Sequence, residues 1–150
     1  MKKFERFREA FVVLVSLLLI LLLAYTGLTK LLEGKMFYDN IRNSPIFGGE
    51  TIAAIAAIVI PVSEIVVALL IVCRRTRLLG LYAALVLMLI FAGYTVSLLF
   101  FAPSLPCSCG GIISLLSWKQ HLMLVLVFLF LILLSIIGLK PVKIKSYKYE

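Results

Sequence analysis

The chain has 150 residues, of which 63% are hydrophobic, a mean hydropathy of +1.17 and a formal charge of +8. Soluble domains are roughly half apolar; this chain has too few polar side chains to cover a water-facing surface, so its composition calls for lipid as the solvent. The basic excess does not mark a nucleic-acid binder, because Lys and Arg fall in short clusters at the ends of apolar runs, where they set membrane topology.

Residues 1–9 carry Lys2, Lys3, Arg6 and Arg8 together with Glu5 and Glu9, and residues 10–32 are apolar almost without a break. That run exceeds the ~7–15 residues of a signal-peptide core and no small-x-small cleavage site follows it, so a retained transmembrane helix is expected over 10–32. Residues 33–50 are polar and turn-rich, with Met36, Phe37, Tyr38 and Ile41 interspersed, and are expected to lie against the headgroups as a short amphipathic stretch. Apolar runs follow at 51–73, 78–101 and 121–139. The first contains Pro61 and Glu64 and is closed by Arg74, Arg75 and Arg77. Residues 102–120 form a loop with Cys107 and Cys109, and Lys140, Lys143, Lys145 and Lys148 close the chain.

Each run is near the ~20 residues that cross ~30 Å of hydrocarbon. The expected fold class is therefore all-α: an integral membrane four-helix bundle, a single domain over 1–150, with no soluble domain and no internal repeat. Eleven of the fifteen Lys and Arg sit at the termini and in the 74–77 link. That asymmetry predicts cytoplasmic N- and C-termini and outward-facing loops. In a bacterium this means the inner (cytoplasmic) membrane, with the cysteine loop in the periplasm, where disulfides persist.

The densest chemistry is Pro106-Cys107-Ser108-Cys109-Gly110-Gly111. Cysteines separated by one residue form a small, strained ring when bridged, which favours exchange over permanent bracing. A structural staple is a poor explanation, since closing so short a loop constrains the unfolded chain little. Copper(I) binding by the two thiolates and a pair of inert interfacial thiols remain open beside redox exchange. His121, twelve residues after Cys109, has two readings: a base for a thiol proton or a bond to a quinone oxygen, and a polar residue at headgroup level beside the anchoring Trp118.

Glu64 is the only acid inside an apolar run. Inserting it costs at least ~2.5 kcal/mol, so it must face the bundle, as a proton or headgroup contact or as a hydrogen bond that fixes packing. Pro61, one turn earlier, frees a backbone carbonyl beside it. Lys30 near the end of the first run either snorkels to the surface or reaches an acid on a neighbouring helix. Depth counting puts Glu64 nearer the cytoplasmic side than Lys30, so a direct pair does not follow from the sequence. Gly93 is expected to allow close helix approach, Tyr94 to supply a hydroxyl, and Tyr25, Phe91 and Tyr94 to line a pocket for a ring. Cys73, at the far end from the other thiols, is expected to be structural.

With Tyr25-Thr26-Gly27-Leu28-Thr29-Lys30, the Pro61–Glu64 pattern and the Cys107/Cys109 pair in place, the chain resembles the MauE/DoxX family of small membrane proteins, and within it the MauE branch named for methylamine utilisation. The resemblance implies a four-helix bundle with a redox-associated role in the cell envelope, supporting disulfide formation or electron transfer beside thioredoxin-like periplasmic partners. It makes Cys107 and Cys109 the redox pair. Quinone-linked disulfide generators carry two cysteine pairs; one outer pair here must serve both partners in turn or depend on another subunit. The leading expectation is thiol–disulfide exchange with electrons passing to a quinone or a second subunit. The rival is a non-enzymatic accessory subunit of a larger envelope complex for secretion or transport.

Overall fold

The computed structural model describes residues 2–46, 48–101 and 117–139. These form α1 (Lys2–Leu32), α2 (Gly34–Arg42), α3 (Glu50–Val72), α4 (Arg77–Phe101) and α5 (Trp118–Leu139), with no strand among the described residues. Four of the five are long and apolar enough to cross a membrane. The fifth, α2, is a nine-residue helix within the short amphipathic stretch expected over 33–50, with Phe37 buried.

The helix limits differ from the apolar runs for local reasons. α1 begins at Lys2, not at residue 10. The charged start is rich in good helix formers, and it places Glu5 and Arg8 at i, i+3 spacing. α5 begins at Trp118, three residues before the apolar run, because Ser117-Trp118-Lys119-Gln120 is a capping box. The Gln120 amide N–H donates to Ser117 Oγ at 3.4 Å, and the Ser117 N–H donates to Gln120 Oε1 at 2.9 Å. At the end of α3, Thr76 Oγ1 donates to the Leu70 carbonyl at 2.8 Å and Arg77 Nε to that of Ile71 at 3.3 Å. These satisfy carbonyls that the helix end leaves open. Gly49 opens α3 at φ 142°, a conformation that side-chain-bearing residues avoid.

The long helices close a ring: α1 packs on α3, α3 on α4, α4 on α5, and α5 back on α1. Successive spans run antiparallel, so the 33–49 connection, Phe101 and Ser117 share one end of the bundle. The α3–α4 turn and the start of α1 share the other, where Gly138 faces Val12 and Arg8. The buried stripe of each helix recurs at three- and four-residue spacing: Val12, Val15, Leu19 and Leu23 on α1, and Leu81, Ala84, Met88 and Ala92 on α4. Polar side chains ride these stripes. Ser16, Glu64, Thr95 and Ser135 are all buried, and Ser16 and Thr95 donate back to the carbonyls four residues earlier at 2.7 and 2.8 Å. The opposite faces carry exposed Leu21, Ile58, Leu69, Ile90 and Phe130. Only 28–39% of each apolar window is buried, which leaves the remainder to lipid.

Helix spacing is set by small residues, although not by all of those expected. A Cβ at Gly80 would lie 2.8 Å from the Ile71 backbone nitrogen and 2.9 Å from the Leu70 carbonyl carbon, so α3 and α4 meet there backbone to backbone. Gly93, expected to allow such an approach, faces open space. Gly80→Ala is therefore expected to destabilise the bundle by ~1–3 kcal/mol. Gly93→Ala is expected to be neutral or to stabilise it by up to ~1 kcal/mol through helix propensity. Thermal unfolding in detergent should rank the melting points Gly93→Ala, then wild type, then Gly80→Ala.

Candidate functional site: a cavity around Lys30 and Glu64

Gly27 lets α1 press against α3. A Cβ there would lie 3.0 Å from Ile65 Cγ1, 3.1 Å from the Pro61 carbonyl oxygen and 3.3 Å from Glu64 Cβ. Gly27 is thus level with Pro61 and Glu64, and α3 continues roughly 12 Å past the end of α1. Depth counting treats the two runs as flush. The offset is what brings Lys30 to the level of Glu64, and α2 packs along the overhanging part of α3.

Four helices meet at the Lys30 ammonium. Nζ donates a hydrogen bond to Glu64 Oε1 on α3 and forms an ion pair with that carboxylate. It also lies 5.6 Å from the ring centre of Phe37 on α2 and 5.0 Å from that of Phe91 on α4, within cation–π range. The side chains are 13% and 1% exposed for Lys30 and Glu64. Both expectations for these residues are thereby resolved: Lys30 turns inward and does not snorkel, and Glu64 faces the bundle.

Around this pair is a cavity of about 290 Å³. Its walls are largely apolar and draw on all five helices, with Leu23 and Thr26 from α1, Phe37 and Asn40 from α2, Ile60 from α3, Phe91 and Tyr94 from α4, and Trp118 and His121 from α5. The capping box at Ser117 puts His121 one turn into α5, and its amide donates to the Ser117 carbonyl at 2.9 Å. Trp118 meets the imidazole edge-on, with ring centres 6.5 Å apart. The Tyr94 hydroxyl donates to Ser44 Oγ at 3.2 Å, tying α4 to the segment after α2. Three cavity residues keep a buried polar atom without a hydrogen-bond partner among the described residues: Glu64 Oε2, His121 Nδ1 and Asn40 Nδ2. A buried polar atom left unmatched costs about 1–3 kcal/mol, so three in one cavity mark it as built to hold something polar.

The structure thus brings together Lys30, Glu64, Phe91, Tyr94 and His121. Trp118, read as a lipid anchor, lines the cavity as well. Tyr25 is on the exposed face of α1 and does not line it. Cys73 is exposed at the end of α3, at the other end of the bundle, so its expected structural role is replaced by a free surface thiol. Cys107 and Cys109 lie outside the described residues. Phe37 and Asn40 were missed. Their signal was spacing, since Phe37, Asn40 and Ile41 fall on one face of a nine-residue helix.

A family model described as methylamine utilisation protein MauE matches residues 8–139. The chain belongs to the MauE family. No curated protein and no solved structure matches it. The MauE match covers every cavity-lining residue and the cysteine loop. Together with the four long apolar helices it makes the chain a multi-pass membrane protein.

Removing one member of a buried pair strands the other charge, whereas removing both strands neither. Lys30→Met is expected to cost about 3–5 kcal/mol, and Lys30→Met combined with Glu64→Leu markedly less. A double-mutant cycle of unfolding free energies in detergent, with Glu64→Leu as the second single variant, checks this; a loss in the double variant equal to the sum of the two single losses would exclude a coupled pair.

Proposed function

We propose that this MauE-family chain supports thiol–disulfide exchange in proteins of the bacterial cell envelope, acting from the inner membrane through Cys107 and Cys109. The charge asymmetry supports cytoplasmic termini, and with them a cysteine loop on the periplasmic side. The observation that carries the reading is the tether. The segment bearing the two thiols joins Phe101 of α4 to Ser117, and the next four residues carry Trp118 and His121 to the cavity wall. The chain's one closely spaced pair of thiols is thereby covalently tied to the end of the bundle where the three unmatched polar atoms of the cavity lie.

The chemistry is an exchange. A thiolate of one partner attacks the disulfide of the other, a mixed disulfide links the two proteins, and the second thiol of the attacking pair resolves it. One S–S bond breaks for each that forms, and one electron pair passes between client and chain. The family description supports a membrane accessory in methylamine utilisation; the soluble partner in this reading is a thioredoxin-like protein. His121 is the group best placed in sequence to take up a thiol proton.

In cells, Cys107→Ser and Cys109→Ser singly are expected to trap or abolish the mixed disulfide, and the double variant to leave the client's cysteines in the wrong redox state. Alkylation of client thiols after acid quenching reads both. If the double variant processes its client normally, the chain is a docking subunit of a larger envelope complex and its thiols are dispensable. Orientation has its own test. A membrane-impermeant maleimide applied to intact, reduced cells is expected to label Cys107 and Cys109 and to spare Cys73; the opposite pattern inverts the topology.

A further inference from the structure

We propose that the cavity around Lys30 and Glu64 is a binding site for the ring head of a membrane-dissolved quinone or quinol. Three features of the cavity select this class. Its walls are mostly apolar and include the rings of Phe37, Phe91 and Trp118, so the occupant is lipophilic and offers a flat face. Its polar atoms nevertheless demand a hydrogen-bonding partner: Asn40 Nδ2 needs an acceptor, Glu64 Oε2 needs a donor, and His121 Nδ1 serves as either according to its tautomer. A quinone supplies carbonyl acceptors and its quinol supplies O–H donors, so the two forms of one ring meet both demands. Finally, the ammonium of Lys30 is already matched by the Glu64 carboxylate. An anionic lipid phosphate would have to displace that carboxylate and leave it buried and unpaired, which disfavours a headgroup as occupant. A volume of about 290 Å³ is of the size that takes a small ring.

This binding involves no cysteine, so it is tested separately from the thiol reading even though both use His121. It can be observed directly, because Trp118 is the chain's single tryptophan and lines the cavity. Tetramethyl-1,4-benzoquinone is a suitable probe, since its fully substituted ring does not alkylate thiols. Titrated into the purified chain in detergent, it is expected to quench Trp118 fluorescence saturably. The quenching should be the same in the Cys107→Ser/Cys109→Ser variant and in Ser135→Ala, whose side chain lies away from the cavity. His121→Phe, which keeps an aromatic ring and removes the hydrogen bond, is expected to weaken binding about tenfold, the scale of one buried hydrogen bond. Tetramethylbenzene, the same ring without its oxygens, should not reverse the quenching in excess.

Quenching that never saturates, an unchanged affinity in a well-folded His121→Phe variant, or reversal by tetramethylbenzene would each overturn the proposal. Loss of quenching in the double cysteine variant would do the same, by moving the ligand to the thiols. None of these results touches client disulfide exchange, which is read separately in cells.

Discussion

The Lys30–Glu64 pair is the constraint from which the upper half of this bundle is built. A carboxylate cannot be left alone in hydrocarbon, and neither can an ammonium, so each fixes where the other must be. Lys30 is on α1 and Glu64 on α3, and that single requirement sets the relative height of the two helices. Gly27 makes it geometrically possible by removing the one side chain that would hold α1 off the Pro61 turn. The aromatic rings of Phe37 and Phe91 then close on the same nitrogen from α2 and α4. Whether a buried pair adds net stability over an apolar replacement is a separate matter. Its value here is that it specifies one arrangement of helices whose apolar surfaces are otherwise interchangeable.

Specification of this kind matters more in lipid than in water. Leu, Ile and Val side chains gain little by leaving lipid for the interior of a bundle, so hydrophobicity does not choose the inward face. Small residues and polar groups choose it. The α3–α4 contact at Gly80, the hydroxyls of Ser16 and Thr95, and the carboxylate of Glu64 all lie on the inner stripes, while large aliphatic residues cover both sides of each helix. The cavity follows from the same offset. α3 rises past α1, α2 is laid along the overhang, and the first turn of α5 completes the wall with Trp118 and His121. The cavity is thus at the end of the bundle from which the cysteine loop departs.

Much of this was legible in the residues. Four spans, an all-helical chain and the inward demand of Glu64 follow from run length and from the cost of a charge in hydrocarbon. Lys30, Glu64, Tyr94, His121 and Phe91 were each singled out and share one cavity. The errors have physical causes. Gly93 was read as a contact and is open, because a glycine in a helix carries no mark of the direction it faces. Asn40 and Phe37 were read as interfacial, because a short amphipathic helix has the same pattern whether its apolar face meets lipid or another helix. The start of α5 was placed at the apolar run, when the Ser117–Gln120 capping box was already there to be read.

The sequence by itself determined the solvent, the number of spans and which side chains could not face lipid, since each depends on the transfer free energy of a residue or a run of residues taken alone. Tertiary structure decided which partner each polar group found, how far α3 overhangs α1, and that three unmatched polar atoms share one apolar chamber. Those are relations between helices, fixed by where small residues let backbones approach, and no local pattern within a uniformly apolar helix encodes the height at which its neighbour will stand.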